Sequence, residues 1–415
     1  MSTSQHPPRR ILIVGAGLAG ASAAAALREQ GFDGDITVFG EQSHDPYELP
    51  PLSKDVLLGR RDEPDWVRGA GYWDDHGITL RRDTVVTALE PADHEIVDAD
   101  GTAHGYDRLL LATGSRPRVP PGFEGPGVHT LRTLDDALTL REKLTDGARV
   151  VIVGAGWIGC EVASAARAHG ARVTMVDPVP LPLRHVLGDQ VGAVFRDLHA
   201  DHGVALRLGV GATGTEVRPD GRTVLLDDGS ELPADVVVVG VGARPRTELA
   251  EAAGLDLAAG AVATDAALRT SAPDVYAAGD IAAHDHPRHE GRVRVEHWSN
   301  AKEQGTHVAG NLLGGHDAYG ADPYFFSDQY DLGCEYRGLA DPARDELVLR
   351  GDPVTREFLA FWLRDGRIAA ALNVNSWDHG DALTALVGSR ARVSAQQLTE
   401  ADLDALATGD APPRP

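Results

Sequence analysis

Cysteine is nearly missing from this sequence. Only Cys160 and Cys334 occur, with no CxxC or CxxxxC spacing. A disulfide framework, a cysteine-ligated zinc site, an iron–sulfur cluster and a redox-active dithiol within the chain therefore have no support. Such sparse cysteine fits a reducing, cytoplasmic setting. Positive charge is scarce as well: 39 Lys and Arg stand against 62 Asp and Glu, a formal charge of −23. A mean field of that sign repels phosphates, which argues against nonspecific nucleic-acid and anionic-membrane binding. No GxSxG elbow is present, so nothing signals a Ser–His–Asp hydrolase.

Long apolar runs are also wanting. The one uncharged stretch, ILIVGAGLAGASAAAAL after Arg9-Arg10, has the outline of a signal peptide. The same strand–glycine–helix order recurs deep inside the chain, where no targeting signal can act. The stretch therefore reads as a strand (Ile11 to Val14), a glycine turn and a helix beginning near Leu18. Elsewhere no run reaches the ~18 residues needed to span a membrane. What remains is an ordinary globular balance, 42% hydrophobic and 24% charged, with length enough for two or three domains.

An internal duplication organises the chain. The first half reads RILIVGAGLAG, DITVFGEQ and YDRLLLATGSRP; the second reads RVVIVGAGWIG, ARVTMVDP and ADVVVVGVGARP. Order and near-equal spacing are kept, which points to two copies of one α/β unit. Each opens with a β-branched strand, a glycine turn and an Ala-rich helix (Leu18 to Gln30, Trp157 to His169), followed by a strand ending near an acid. The segments TLRRDTVVTALEP and HEIVDADG, and ALRLGVGATGTEV and TVLLDDGS, read as β-meanders appended to each parallel sheet. Beyond about Gly320, ELVLRGD, EFLAFWLRDG and RIAAALNV read as strands and DALTALVGSR as a helix. The tails MSTSQHPPRR and TGDAPPRP read as solvated and unstructured.

The glycine turns carry the chemistry. In Gly15-x-Gly17-x-x-Gly20, the first glycine permits the tight turn and the second lets backbone approach a pyrophosphate. The third lets helix and strand pack closely, with phosphate at the helix N-terminus. Glu41, 21 residues beyond Gly20, is placed to accept from ribose hydroxyls. The second copy is Gly154-x-Gly156-x-x-Gly159 with Asp177, an acid that would repel the 2′-phosphate of NADP and so favours NAD. Arg184, seven residues later, could counter it. Two such folds imply two nucleotides.

Resemblance adds what spacing cannot. PPLSK (Pro50 to Lys54), LLLATGSRP, LRTLDDA (Leu131 to Ala137), SAPDVYAAGDIA and SDQYD (Ser327 to Asp331) follow one another from Ile11 to about Trp377. In this the chain resembles the FAD-dependent NADH:ferredoxin reductases, the putidaredoxin reductase-like family serving cytochrome P450 and Rieske oxygenase systems. The resemblance implies an α/β fold of two tandem Rossmann-like dinucleotide-binding domains with β-meanders, glutathione-reductase-like, plus a C-terminal α+β domain. It implies an FAD-binding domain over 1–116 and 244–320, an NAD-binding domain over 117–243 and the C-terminal domain over 321–415. FAD contacts then fall on Gly15, Gly17, Ala19, Gly20, Glu41, Lys54, Val86, Thr113, Gly114, Arg132, Gly279, Asp280 and Trp298. NAD(H) contacts fall on Gly154, Gly156, Ile158, Gly159, Glu161, Asp177 and Gly242. Lys54 and Glu161, which pair in the family beside the nicotinamide, are the catalytic candidates.

The activity implied is hydride transfer from NADH to FAD, followed by single electrons to a transient [2Fe–2S] ferredoxin that feeds a cytochrome P450 or Rieske oxygenase. Ferredoxin partners in the family are acidic, and Arg292, Arg294 and Lys302 are candidates for the basic patch of this chain that would receive one. Two departures are visible: Phe326 stands where many relatives have tryptophan, and Leu49 where many have arginine. The segment YELPPLSKDVLL holds no thiol, which disfavours disulfide reductases and NADH peroxidases. An NADH oxidase or rubredoxin reductase on the same scaffold is the alternative, and a nonenzymatic FAD/NADH-binding redox sensor a more distant one. His284, His286 and His289 read as a solvated loop, so no metal is expected, and both cysteines read as buried.

Overall fold

The computed structural model describes residues 7–219 and 221–408. Most of both predicted tails, 1–6 and 409–415, lies outside the described residues. The chain forms two compact units: Met1–Leu49, Pro64–Arg116 and Ala243–Ala321 in the first, Pro50–Glu63, Pro117–Gly242 and Asp322–Pro415 in the second. The elements used below are β1 (Arg10–Val14), α1 (Leu18–Glu29), β2 (Arg149–Val153), α2 (Trp157–Ala168), α3 (Arg184–Asp201), α4 (Trp298–Leu312) and β3 (Tyr324–Gln329).

In the first unit, β1 lies at the centre of a five-stranded parallel sheet. The order is Val275–Ala277, Arg108–Leu111, β1, Asp35–Phe39, Ile78–Arg81. Ile11, Leu12 and Ile13 are buried on both faces, as a central parallel strand requires. α1 is buried from Leu18 through Leu27 because its small side chains let neighbours close in. At Gly305 of α4 an added Cβ would run into the Ala19 carbonyl. Glycine there sets how near the two helices approach.

The second unit repeats the plan. Its parallel order is Ala205–Leu208, Arg172–Asp177, β2, Val236–Val239, Val128–His129. Each unit also carries a three-stranded antiparallel meander, over 86–105 in the first and 212–234 in the second. The opening strand of each segment read as meander belongs elsewhere: Ile78–Arg81 and Ala205–Leu208 are the outer strands of the parallel sheets. Alternation along four residues shows a strand but not its partner.

The second unit also holds a five-stranded antiparallel sheet, ordered β3, Leu332–Gly338, Arg367–Val374, Glu357–Arg364, Glu346–Asp352. Helix Gly380–Ser389 and two short helices pack on it through Leu383, Leu386, Leu398 and Leu403, over Phe361 and Ala371. The fold is thus α/β with two Rossmann-like cores, meanders and a C-terminal α+β part. Among the described residues no helix is long and apolar enough to cross a membrane.

Candidate functional site

The two glycine turns are built alike. Gly15 and Gly154 have φ of +115° and +109°, and a Cβ on either would drive into a backbone carbonyl, of Ala112 or Gly240. Gly20 and Gly159 pack against the carbonyls of Gly15 and Gly154, where a side chain would clash in the same way. Gly17 and Gly156 are the N-caps of α1 and α2, and neither offers a side chain to the first helical amides. A Cβ on Gly17 would meet nothing within 4 Å, and one on Gly156 only the Gly240 oxygen at 4.0 Å. Uncapped amides at a positive helix end, facing open space, fit a dinucleotide pyrophosphate.

Around the first turn, Asp280 is 8% exposed and its Oδ2 accepts from Ser115 Oγ at 2.7 Å. Gly279, at φ +81°, donates its N–H to Gln304 Oε1 at 2.8 Å. Glu41 Oε1 lies 2.6 Å from Arg246 Nη1, and Thr113 Oγ1 donates to the Arg246 carbonyl. Gly114 has φ +67°. Val86 opens the meander and is half-buried. Ala19 packs beneath Gly279. Trp298 opens α4, donates Nε1–H to Glu48 Oε2 at 3.0 Å, and carries Lys302 Nζ over its ring, 4.9 Å from the centroid. Lys54 and Arg132, also read as FAD contacts, belong to the second unit. The Arg132 N–H donates to Asp136 ahead of helix Leu134–Lys143.

Around the second turn, Asp177 Oδ2 accepts from the Ala155 N–H at 2.7 Å and Oδ1 from the Val179 N–H at 2.8 Å. Its carboxylate pins the glycine turn to the strand end. Arg184, the residue that could offset Asp177, pairs instead with Asp189. Ile158 is 40% exposed at the start of α2, and Gly242 has φ +97°.

Three side chains converge on Glu161. It is 4% exposed and takes Lys54 Nζ at 2.9 Å and Ser327 Oγ at 2.6 Å on Oε1, with Ser53 Oγ on Oε2. Lys54 Nζ also sits 5.0 Å from the centroid of Phe326, a cation–π contact. Beside this pair a cleft of about 650 Å³ is lined by Lys54, Glu161, Arg167, His202, Asp328 and Tyr330 among others. Burial raises the Asp328 pKa, and Lys54 opposes that rise.

Sequence reasoning missed Ser53, Ser327 and Arg246. The two serines sit inside PPLSK and SDQYD, motifs read only as family marks; nothing around Arg246 gave a signal. Of the proposed basic patch, Arg292 lies 3.4 Å from Asp285 and Arg294 pairs with Glu296. His286 and His289 stand with ring centroids 4.5 Å apart. Among the described residues no group of three or more His, Cys, Asp or Glu is placed to hold a metal ion. Cys160 and Cys334 are buried, and burial pushes both thiols up, away from the reactive thiolate.

Residues 9–305 match the pyridine nucleotide-disulphide oxidoreductase family, and residues 324–407 the reductase C-terminal family. The ferredoxin–NAD(+) reductase component of the anthranilate 1,2-dioxygenase system of Burkholderia cepacia is 40% identical, covering 94% of this chain and 96% of its own. The structure of a covalent putidaredoxin reductase–putidaredoxin complex superposes with a TM-score of 0.93 at 34% identity, covering 98% of this chain and 100% of the other. A water-forming NADH oxidase from Lactobacillus brevis, 24% identical, shares the fold with a TM-score of 0.85 over 97% of this chain and 98% of its own.

Proposed function

We propose, from the premise that this chain belongs to the pyridine nucleotide-disulphide oxidoreductase family and within it to the ferredoxin–NAD(+) reductases, that it oxidises NADH and passes the electrons singly to a [2Fe–2S] ferredoxin. FAD and NAD(H) are the family's cofactors. The observation that carries the reading is the pair of uncapped glycine turns in one chain, each opening a helix toward open space. Bound FAD supplies the conversion of a two-electron hydride into two one-electron steps.

The chain's own residues bind, orient and shield. On this reading residues 1–116 and 244–320 hold FAD, 117–243 hold NADH, and 321–415 form the C-terminal domain. Gly15, Gly17 and Gly20 bring α1's amides to the FAD pyrophosphate. Glu41 takes a ribose, and Asp280 the flavin's hydroxyl-bearing chain. Ala19, Val86, Thr113, Gly114, Gly279 and Trp298 supply close backbone and apolar walls, and Arg132 a cation. Gly154, Gly156 and Gly159 do for NADH what the first turn does for FAD, with Ile158 and Gly242 beside them. Asp177 disfavours a 2′-phosphate. Lys54 and Glu161 are the candidate catalytic pair, a fixed cation beside a buried carboxylate that steadies charge developing during hydride transfer. The ferredoxin would feed a cytochrome P450 or Rieske oxygenase, in the cytoplasm.

NADH-driven cytochrome c reduction, measured with and without [2Fe–2S] ferredoxins, tests the acceptor. Strong dependence on one ferredoxin is expected. Rapid NADH oxidation that ignores every ferredoxin would instead make the chain an oxidase.

A further inference from the structure

The SDQYD motif does more than mark the family. β3 ends at Gln329, and from there a chain of hydrogen bonds runs in both directions through the second unit. Toward α2, Gln329 Nε2 donates to Ser327 Oγ at 3.1 Å, and Ser327 donates to Glu161 Oε1 at 2.6 Å. Away from it, Gln329 Oε1 lies 3.2 Å from His199 Nε2, and His199 Nδ1 lies 3.1 Å from the Tyr330 hydroxyl. Glu161, Gln329 and His199 are 4%, 0% and 0% exposed, and Ser327 is 1% exposed, so water cannot substitute for the links between Glu161 and His199; Tyr330 is half-buried.

Donor and acceptor chemistry gives the chain one sense. An ionised Glu161 only accepts, so Ser327 must donate to it and receive from the Gln329 amide. The Gln329 carbonyl then faces His199 Nε2, which must carry the proton. Nδ1 is left as the acceptor of the Tyr330 hydroxyl. Of the two neutral tautomers, Nε2–H lets Gln329 accept and the Tyr330 hydroxyl donate; an imidazolium could also bond both partners, but at the cost of a buried charge. Burial independently favours the neutral state, lowering the His199 pKa from the ordinary 6.5 to about 4. Around His199 the other ionisable groups are His202, stacked on Tyr330, and Tyr330 itself. Those facing Glu161 are Lys54, Asp328 and the buried thiols of Cys160 and Cys334.

The backbone holds this end of β3 firmly. Tyr330 has φ +56°, an uncommon value for a non-glycine residue, and its N–H donates to Ser164 Oγ at 2.8 Å. Ser164 and Glu161 are three residues apart and share a face of α2. One helix therefore grips both ends of the 327–330 segment.

We propose that Ser327, Gln329, His199 and Tyr330 are positioning residues, a one-directional hydrogen-bond chain that ends on Glu161 and holds its carboxylate aligned with Lys54. A buried carboxylate paired with a single cation is costly, and aligned donors that polarise one another offset that cost. The functional weight of the chain rests on the catalytic role proposed for the Lys54–Glu161 pair.

The first test needs no turnover. In FAD-loaded protein labelled with ¹⁵N-histidine, with His199→Gln used for assignment, His199 should show the neutral Nε2–H pattern at pH 6. An Nδ1–H tautomer or a charged imidazolium there would overturn the chain. The second is the pH profile of flavin reduction by NADH. Ser327→Ala removes a donor to a charged group, and flavin reduction should slow about tenfold across the profile. His199→Phe should slow it the same way and His199→Gln, which keeps a donor near the Nε2 position, should restore it. Profiles superimposable on the wild type would remove the chain's role. Should NADH fail to reduce the wild-type flavin, the reductase reading falls, while the tautomer result still decides the chain.

Discussion

The two glycine turns share one backbone and differ in what surrounds them. At the first, α1 is buried along most of its length, with Gly279 and Gly305 pressed onto Ala19, and the Glu41 carboxylate is met by the Arg246 guanidinium. At the second, Ile158 stands 40% exposed and the Asp177 carboxylate is spent on two backbone amides. On the reading proposed, packing and the use of the acid turn one duplicated motif into two different sites. The contrast matches the roles proposed: a dinucleotide retained by the first turn and one exchanged at the second.

Acid should separate the two units most strongly. Burial lowers the pKa of His284 and His297 in the first unit, and of His199 in the second, from 6.5 to about 4. Between those pH values the unfolded chain takes a proton at each imidazole and the folded chain does not. Stability is thus fully present above 6.5 and falls as pH drops toward 4, by at most ~3 kcal/mol per histidine. Melting curves from pH 7 to 4.5 should show His284→Gln losing less stability on acidification than the wild type does. Parallel pH dependences would mean that this histidine is not buried and neutral in the fold.

The acids offer a smaller and finer contrast. Asp177→Ala should narrow the ratio of kcat/KM for NADH over NADPH about tenfold, ~1.4 kcal/mol, because it removes a negative charge near the 2′ position. Part of that loss will come through the freed Ala155 and Val179 amides, so Asp177→Asn, with one acceptor oxygen left, should fall between. Glu41→Gln keeps an acceptor for Arg246 and should leave the ratio alone while modestly weakening FAD retention. An unchanged ratio in Asp177→Ala would refute the role given to that acid.

Much of this was legible in the sequence because it is local. RILIV and RVVIV, each followed by GAG and an Ala-rich run, specify strand, turn and helix within 20 or so residues, and α1 and α2 end within one residue of expectation. What escaped depends on distant pairing. Ile78–Arg81 and Ala205–Leu208 were read into the meanders because nothing in four residues says whether a strand pairs parallel or antiparallel. YFFSDQ was seen as a motif and not as the edge strand that delivers Ser327, 166 residues from Glu161. Asp177 reads as an acid that repels a 2′-phosphate, and sequence cannot show that its carboxylate turns back on its own turn.

The most direct measurement is an anaerobic titration of the purified, desalted holoprotein with NADH, following visible flavin absorption. FAD should survive desalting, and NADH should then bleach it in proportion to the amount added. Flavin lost on desalting, or flavin that stays oxidised with NADH in excess, would contradict two dinucleotide sites working as one reductase.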